Sequence, residues 1–107
     1  MCEGTAAQPC SVKNLEITQT ATGKTVKNKA EWNVTVTNNC ICSQLNVKLN
    51  CKGFETVEAP SVVSISGDTC VFNDKVPVIF GFESVSFTYA WDAKFAFKPV
   101  FSVIACS

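Results

Sequence analysis

A chain of 107 residues, 47% of them apolar, can bury one hydrophobic core but not two. Nine lysines balance nine acidic residues and arginine is absent, so no basic excess is on hand to neutralise phosphates or hold anionic lipid, and nucleic acid is excluded as an expected partner. The most apolar run, Val76 to Phe82, is broken by Pro77 and Gly81 and falls short of the roughly 18 residues of a membrane helix, so no membrane insertion is expected.

Met1-Cys2-Glu3-Gly4 runs into polar residues with no apolar h-region, and residues 1–9 read as a flexible leader to a single cysteine-rich mature domain spanning 10–107. Leu15 to Thr20 is a short candidate strand, closed by the turn residues Ala21-Thr22-Gly23-Lys24. From Glu31 to Asn38 the alternation is strict, with Trp32, Val34 and Val36 on one side and Asn33, Thr35 and Thr37 on the other. Gln44 to Cys51 repeats it with Leu45, Val47, Leu49 and Cys51 in phase. The segment between them, Asn38 to Ser43, has hairpin length and predicts that these two strands pair antiparallel. Val62 to Ser66 and Cys70 to Asn73 flank the turn Ser66-Gly67-Asp68, and Val76 to Phe80 follows the turn Asn73-Asp74-Lys75. Ser84 to Trp91 places Val85, Phe87, Tyr89 and Trp91 on one face, a side-chain mass that predicts a central strand. Phe97 to Cys106 completes the set. No window shows helical periodicity, so the expected fold class is all-β, an antiparallel β-sandwich or related barrel.

Seven cysteines in so short a chain approach the density of disulfide scaffolds, which persist in oxidising compartments and point to the secretory route. A cysteine metal site would want paired C-x-x-C ligands, usually with histidine, and the chain has no histidine; no metal is expected. Six cysteines allow fifteen pairings, so the connectivity of about three bridges stays open at this point. Cys40-Ile41-Cys42 reads as a loop tied in two directions.

Without histidine, the usual triads and dyads of nucleophilic hydrolysis are unavailable. Glu55 and Glu58 are the carboxylates considered for a glycosidase pair, but their plainer reading is solvated. There is no G-x-G-x-x-G or P-loop, so no cofactor and no catalytic residue is assigned, and an enzyme is not expected. Asn33-Val34-Thr35 is an N-glycosylation sequon whose phase sets Asn33 on the wet face of its strand. Trp91-Asp92-Ala93-Lys94-Phe95 leaves the aromatic strand, making Trp91 and Phe95 the candidate contacts for a partner or a sugar.

These features together resemble the plant Tapetum Determinant family of small secreted cysteine-rich proteins. The resemblance runs from Cys10-Ser11 through Trp32 to Cys40, Cys42, Leu49-Asn50-Cys51-Lys52-Gly53-Phe54, Asp68-Thr69-Cys70 and Val85 to Ala90, ending at Cys106. Ala30 to Thr35 and Tyr89-Ala90-Trp91-Asp92 resemble an uncharacterised branch, some of whose members are labelled glycosyltransferase family proteins; nothing in the residues supplies that chemistry. The resemblance implies a framework of Cys10, Cys40, Cys42, Cys51, Cys70 and Cys106, leaving Cys2 as the odd cysteine of a monomer or a Cys2-linked dimer. It implies a protein secreted to the apoplast that signals through an extracellular partner, a leucine-rich-repeat receptor kinase ectodomain. The alternative is a carbohydrate-binding module whose partner is cell-wall polysaccharide.

Overall fold

The period-2 pattern becomes eight strands in the computed structural model, which describes residues 9–106. They are β1 (Leu15–Val26), β2 (Lys29–Asn38), β3 (Ser43–Asn50), β4 (Val63–Ser66), β5 (Thr69–Phe72), β6 (Val78–Ile79), β7 (Ser84–Trp91) and β8 (Lys98–Ala105). A single 3-10 turn, Val12–Asn14, precedes them, capped by the Ser11 hydroxyl. Cys2 and all of the expected leader except Pro9 lie outside the described residues.

All pairing is antiparallel, in two sheets: three strands in the order β1-β2-β7, and five strands built around β3. β8 runs along one edge of β3, while β5 and β6 share the other edge at its two ends. β4 extends the sheet beyond β5. The all-β sandwich expectation holds, and six cysteines pair as Cys10–Cys40, Cys42–Cys106 and Cys51–Cys70.

Three expectations are corrected. β2 and β3 do not form a hairpin; they belong to different sheets, and the Asn38–Ser43 segment crosses from one layer to the other. The physical reason is at its two ends. Cys40 and Cys42 are pulled toward Cys10 and Cys106, and the buried Asn38 side chain donates to the carbonyls of Cys42, Ile79 and Phe80, so the segment turns inward across the layers. β1 does not reverse at Ala21–Lys24. It passes through an irregularity between Ala21 and Thr25 and turns at Lys27-Asn28, whose φ of 51° and 68° are those of the two-residue turn that matches strand twist. β7 is an edge strand rather than a central one. Residues 56 and 57 cover its free edge: the Val57 N–H donates to the Ala90 carbonyl and the Ala90 N–H to the Thr56 hydroxyl, both at 3.0 Å.

The core lies between the sheets. Val34 and Val36 from β2 meet Val47 and Leu49 from β3, Phe72 from β5 and Ile79 from β6. At its centre Phe54 sits edge-on to Tyr89, Phe95 and Phe97 at centroid distances of 5.2 to 5.3 Å, a geometry that sets ring edges against ring faces. Phe87 continues the chain of contacts to Phe97 and Phe72.

Candidate functional site

Strands that bury one face should offer water a polar one, and the five-stranded sheet does so only toward β4 and the Asn50 end of β3, where Ser64 lies opposite Val71 and Asn50 opposite Thr69 and Lys98. Register sets Leu45 opposite both Val78 and Val103, and Lys48 opposite both Val71 and Phe101. Residues directly opposite share a face. Strict alternation from Leu45 would put Lys48 on the other side, but β3 holds one extra residue there. Asn46 adopts φ 52° and the register with β8 shifts between Leu45 and Lys48, so the two side chains return to one face. Upstream of this bulge the phase of β3 is inverted from the expected one. Gln44 is fully buried while Leu45 is partly exposed. Gln44 is satisfied inside: its amide donates to the Ser11 carbonyl and to Asn38 Oδ1, and it accepts from the Ser102 hydroxyl. The outer face therefore carries an apolar strip of Val71, Val78, Leu45, Phe101 and Val103. Phe101 and Val103 are 45% and 43% exposed, and the Lys48 ammonium lies 5.0 Å from the Phe101 ring centroid.

At the Ser43 end of β3 two loops are locked together. Gly81 is packed so closely on the Ile41 backbone that a Cβ there would collide with the Ile41 carbonyl, so this position takes glycine alone. The Phe82 N–H donates to the Asn38 carbonyl, and the Asn38 N–H to the Glu83 carbonyl, both at 2.9 Å. Bonds from Cys40 and Cys42 fix the other loop. The platform displays Ile41, Phe80 and Phe82 at 71%, 54% and 69% exposure. Phe82 holds φ 62°, a left-handed conformation costly for a bulky residue and characteristic of functional positions.

The sequence-derived candidates lie elsewhere. Asn33 sits on the outer face of the three-stranded sheet between Thr20 and Thr88. Trp91 is half-buried, with the Lys29 ammonium 5.4 Å from its centroid and bridged at 2.8 Å to Asp92. Phe95 is partly buried in the core stack, 5.3 Å from Phe54 and 5.8 Å from Tyr89. It lines an open depression of about 400 Å³ with Ile17, Gln19 and Phe97, among others. Apart from the exposed Lys94, the polar groups there are spent on the fold: the Tyr89 hydroxyl donates to Gln19, the Gln19 amide donates to the Phe95 carbonyl, and the Phe95 N–H donates back to Tyr89. Burial pushes the Tyr89 phenol above its usual value.

Glu58 meets Glu31 rather than Glu55. Burial, followed by the neighbouring Glu31 carboxyl, raises the Glu58 pKa. The Thr22 hydroxyl, donating at 2.8 Å, together with Glu58 lowers that of Glu31. One proton shared between the two carboxyls accounts for both directions. Among the described residues no group of three or more acidic or cysteine side chains is placed to hold a metal, and no helix is long and apolar enough to cross a membrane.

The apolar strip and the locked loops were missed by reading alternation alone. Two signals pointed to them: an isoleucine between two cysteines, and Phe80-Gly81-Phe82, where glycine separates rings with no strand phase. Against known families, a model described as Tapetum determinant 1, C-terminal, matches residues 11–107. No curated protein and no solved structure matches.

Proposed function

The chain belongs to the Tapetum determinant 1 family, a plant family of signalling proteins, and from that premise we propose that it is a secreted apoplastic signal that binds a leucine-rich-repeat receptor kinase ectodomain. The single observation that carries the docking is the apolar strip on the outer face of the five-stranded sheet, continued at one end by Ile41, Phe80 and Phe82. Apolar area of this kind on a polar-rimmed domain marks a protein contact, and aromatic anchors on a rigid backbone lose little entropy on binding. Three disulfides fit an oxidising extracellular compartment. Polysaccharide binding draws less support, because Phe95 is stacked into the core and Trp91 is half-covered rather than paired with it in an open plane.

Surface binding of the purified protein to a panel of leucine-rich-repeat ectodomains, beside a cell-wall glycan array, tests this. The expected result is a saturable ectodomain signal that Phe82→Gly and Phe101→Asp each weaken at least tenfold. Phe82→Gly is the sharper variant, since glycine adopts the left-handed conformation without strain at this exposed position and so offsets the entropy it adds to the unfolded chain. Saturable binding to a wall polymer with no ectodomain signal overturns the proposal.

A further inference from the structure

The outer face of the three-stranded sheet is dominated by short polar side chains. Register lines up Thr18 with Thr35 and Ser86, Thr20 with Asn33 and Thr88, and Glu16 with Thr37 and Ser84. Neighbouring hydroxyls bond to each other across strands, Thr35 to Ser86 at 3.0 Å and Thr37 to Ser84 at 2.7 Å. One side chain in this array stands apart chemically. Asn33 begins the only Asn-x-Ser/Thr triplet of the 107 residues, and among the described residues its amide donates only to the Thr35 hydroxyl of that triplet, at 3.3 Å. The contrast is Asn38, fully buried, with its amide spent on three carbonyls.

We propose that Asn33 carries an N-linked glycan that covers this hydroxyl face and confines partner docking to the opposite, apolar face. The inference rests on the extracellular reading above, because the modification occurs on the secretory route. In the reaction the Asn33 amide nitrogen forms a bond to the anomeric carbon of the first N-acetylglucosamine of a lipid-diphosphate-linked oligosaccharide. The anomeric C–O bond breaks, the lipid diphosphate leaves, and the amide proton neutralises the charge left on it. The chain accepts the product without rearrangement. Thr20 and Thr88, the residues directly across from Asn33, are both short; Glu58 reaches over to the Thr88 hydroxyl, which leaves the Thr20 and Thr18 side of the face for the sugar. The hydroxyls offer its polar edges hydrogen-bond partners in place of water.

The test expresses the chain behind a plant secretion signal, which separates this inference from whether the natural protein is exported. Intact mass should show a hexose series on the wild type and on Thr35→Ser, and none on Thr35→Ala or Asn33→Gln. Enzymatic release in ¹⁸O-water should leave labelled Asp at position 33. Hydroxyl-radical footprinting before and after release should show the glycan protecting Thr18 and Thr20 while Phe101 and Val103 react equally in both forms. Secreted wild-type protein with unmodified Asn33 overturns the proposal, and equal protection of both faces overturns the claim that the glycan directs docking. Fractionation of plant tissue, followed with an antibody to the endogenous protein, reports on the extracellular reading alone: an exclusively cytosolic endogenous protein ends that reading and leaves the acceptor result standing.

Discussion

The two outer faces follow the same alternation rule and carry opposite chemistry. On the three-stranded sheet the residues pointing away from the core are Thr, Ser and Asn with Glu16 and Glu31, and hydroxyls bond to one another across strands. On the five-stranded sheet a strip of Val, Leu and Phe, with Lys48 laid over a ring, runs beside the polar residues Ser64, Thr69 and Asn50. Neither composition is needed to hold the fold, since the shared core lies between the sheets. The larger strip of exposed apolar side chains lies on the five-stranded sheet, and the locked loops adjoin it at the Ser43 end of β3.

The sharpest way to break this contrast is to detach β8, which supplies Phe101 and Val103. Cys42–Cys106 closes 64 residues and pins the end of β8 beside β3. Replacing both cysteines with alanine should cost about 2–4 kcal/mol in denaturant unfolding, since a long loop regains its freedom in the unfolded chain. Amide exchange should rise along β8 while Val34 and Val36 in β2 stay protected. Equal loss in both sheets would mean that the faces are not independent.

Next in size is Asn38→Ala. Removing this side chain strips a donor from the carbonyls of Cys42, Ile79 and Phe80 and should cost roughly 1–3 kcal/mol, because buried acceptors are left unpaired. Thermal unfolding measures it. A shift of under about 1 °C would show that the crossing between layers is held by the disulfides alone.

Smaller in stability but decisive for function is a matched pair, Phe101→Asp and Ser86→Asp. Both positions lie on outer faces, so each should alter stability by no more than about 0.5 kcal/mol. Only the first should lower ectodomain affinity, by tenfold or more. An equal loss from Ser86→Asp would erase the functional distinction between the faces.

Much of this contrast was legible in the residues. Asn33, Thr35 and Thr37 read as the wet face of β2, and they lie half-buried on its outer side while Val34 and Val36 are fully buried. The opposite face was not legible, for two physical reasons. Alternation reports which side of a strand is apolar but not which sheet the strand joins, so a loop of hairpin length concealed a crossing governed by Asn38 and two disulfides. A bulge also reverses phase: nothing in the apolar pattern marks Asn46 as the extra residue that carries Gln44 inward and returns Lys48 to the side of Leu45. Phe80 and Phe82 look like core residues by composition, and only the close approach of Gly81 to Ile41 explains why they are displayed.

The subtlest expected effect concerns the one place where the hydroxyl face is covered by the protein itself. Glu58 reaches from the segment over β7 to Glu31 on β2, with Thr22 and Thr88 as hydroxyl partners and Lys24 as the nearby cation. Glu58 has its pKa raised above the ordinary 4.5, so its contribution to stability is complete below that value and is lost as pH rises through the folded pKa. Glu31 has its pKa lowered from the same value, so its contribution is complete above it and lost as pH falls through the folded pKa. The pair is therefore most favourable in the acidic interval between the two folded values, where one proton is shared. Wild-type stability should decline from that interval toward neutral pH. Glu58→Gln, which keeps a donor and cannot ionise, should flatten the decline without affecting β8. Chemical unfolding across pH 4 to 8 reads the difference, and parallel profiles for the two proteins would show that Glu58 does not titrate against Glu31.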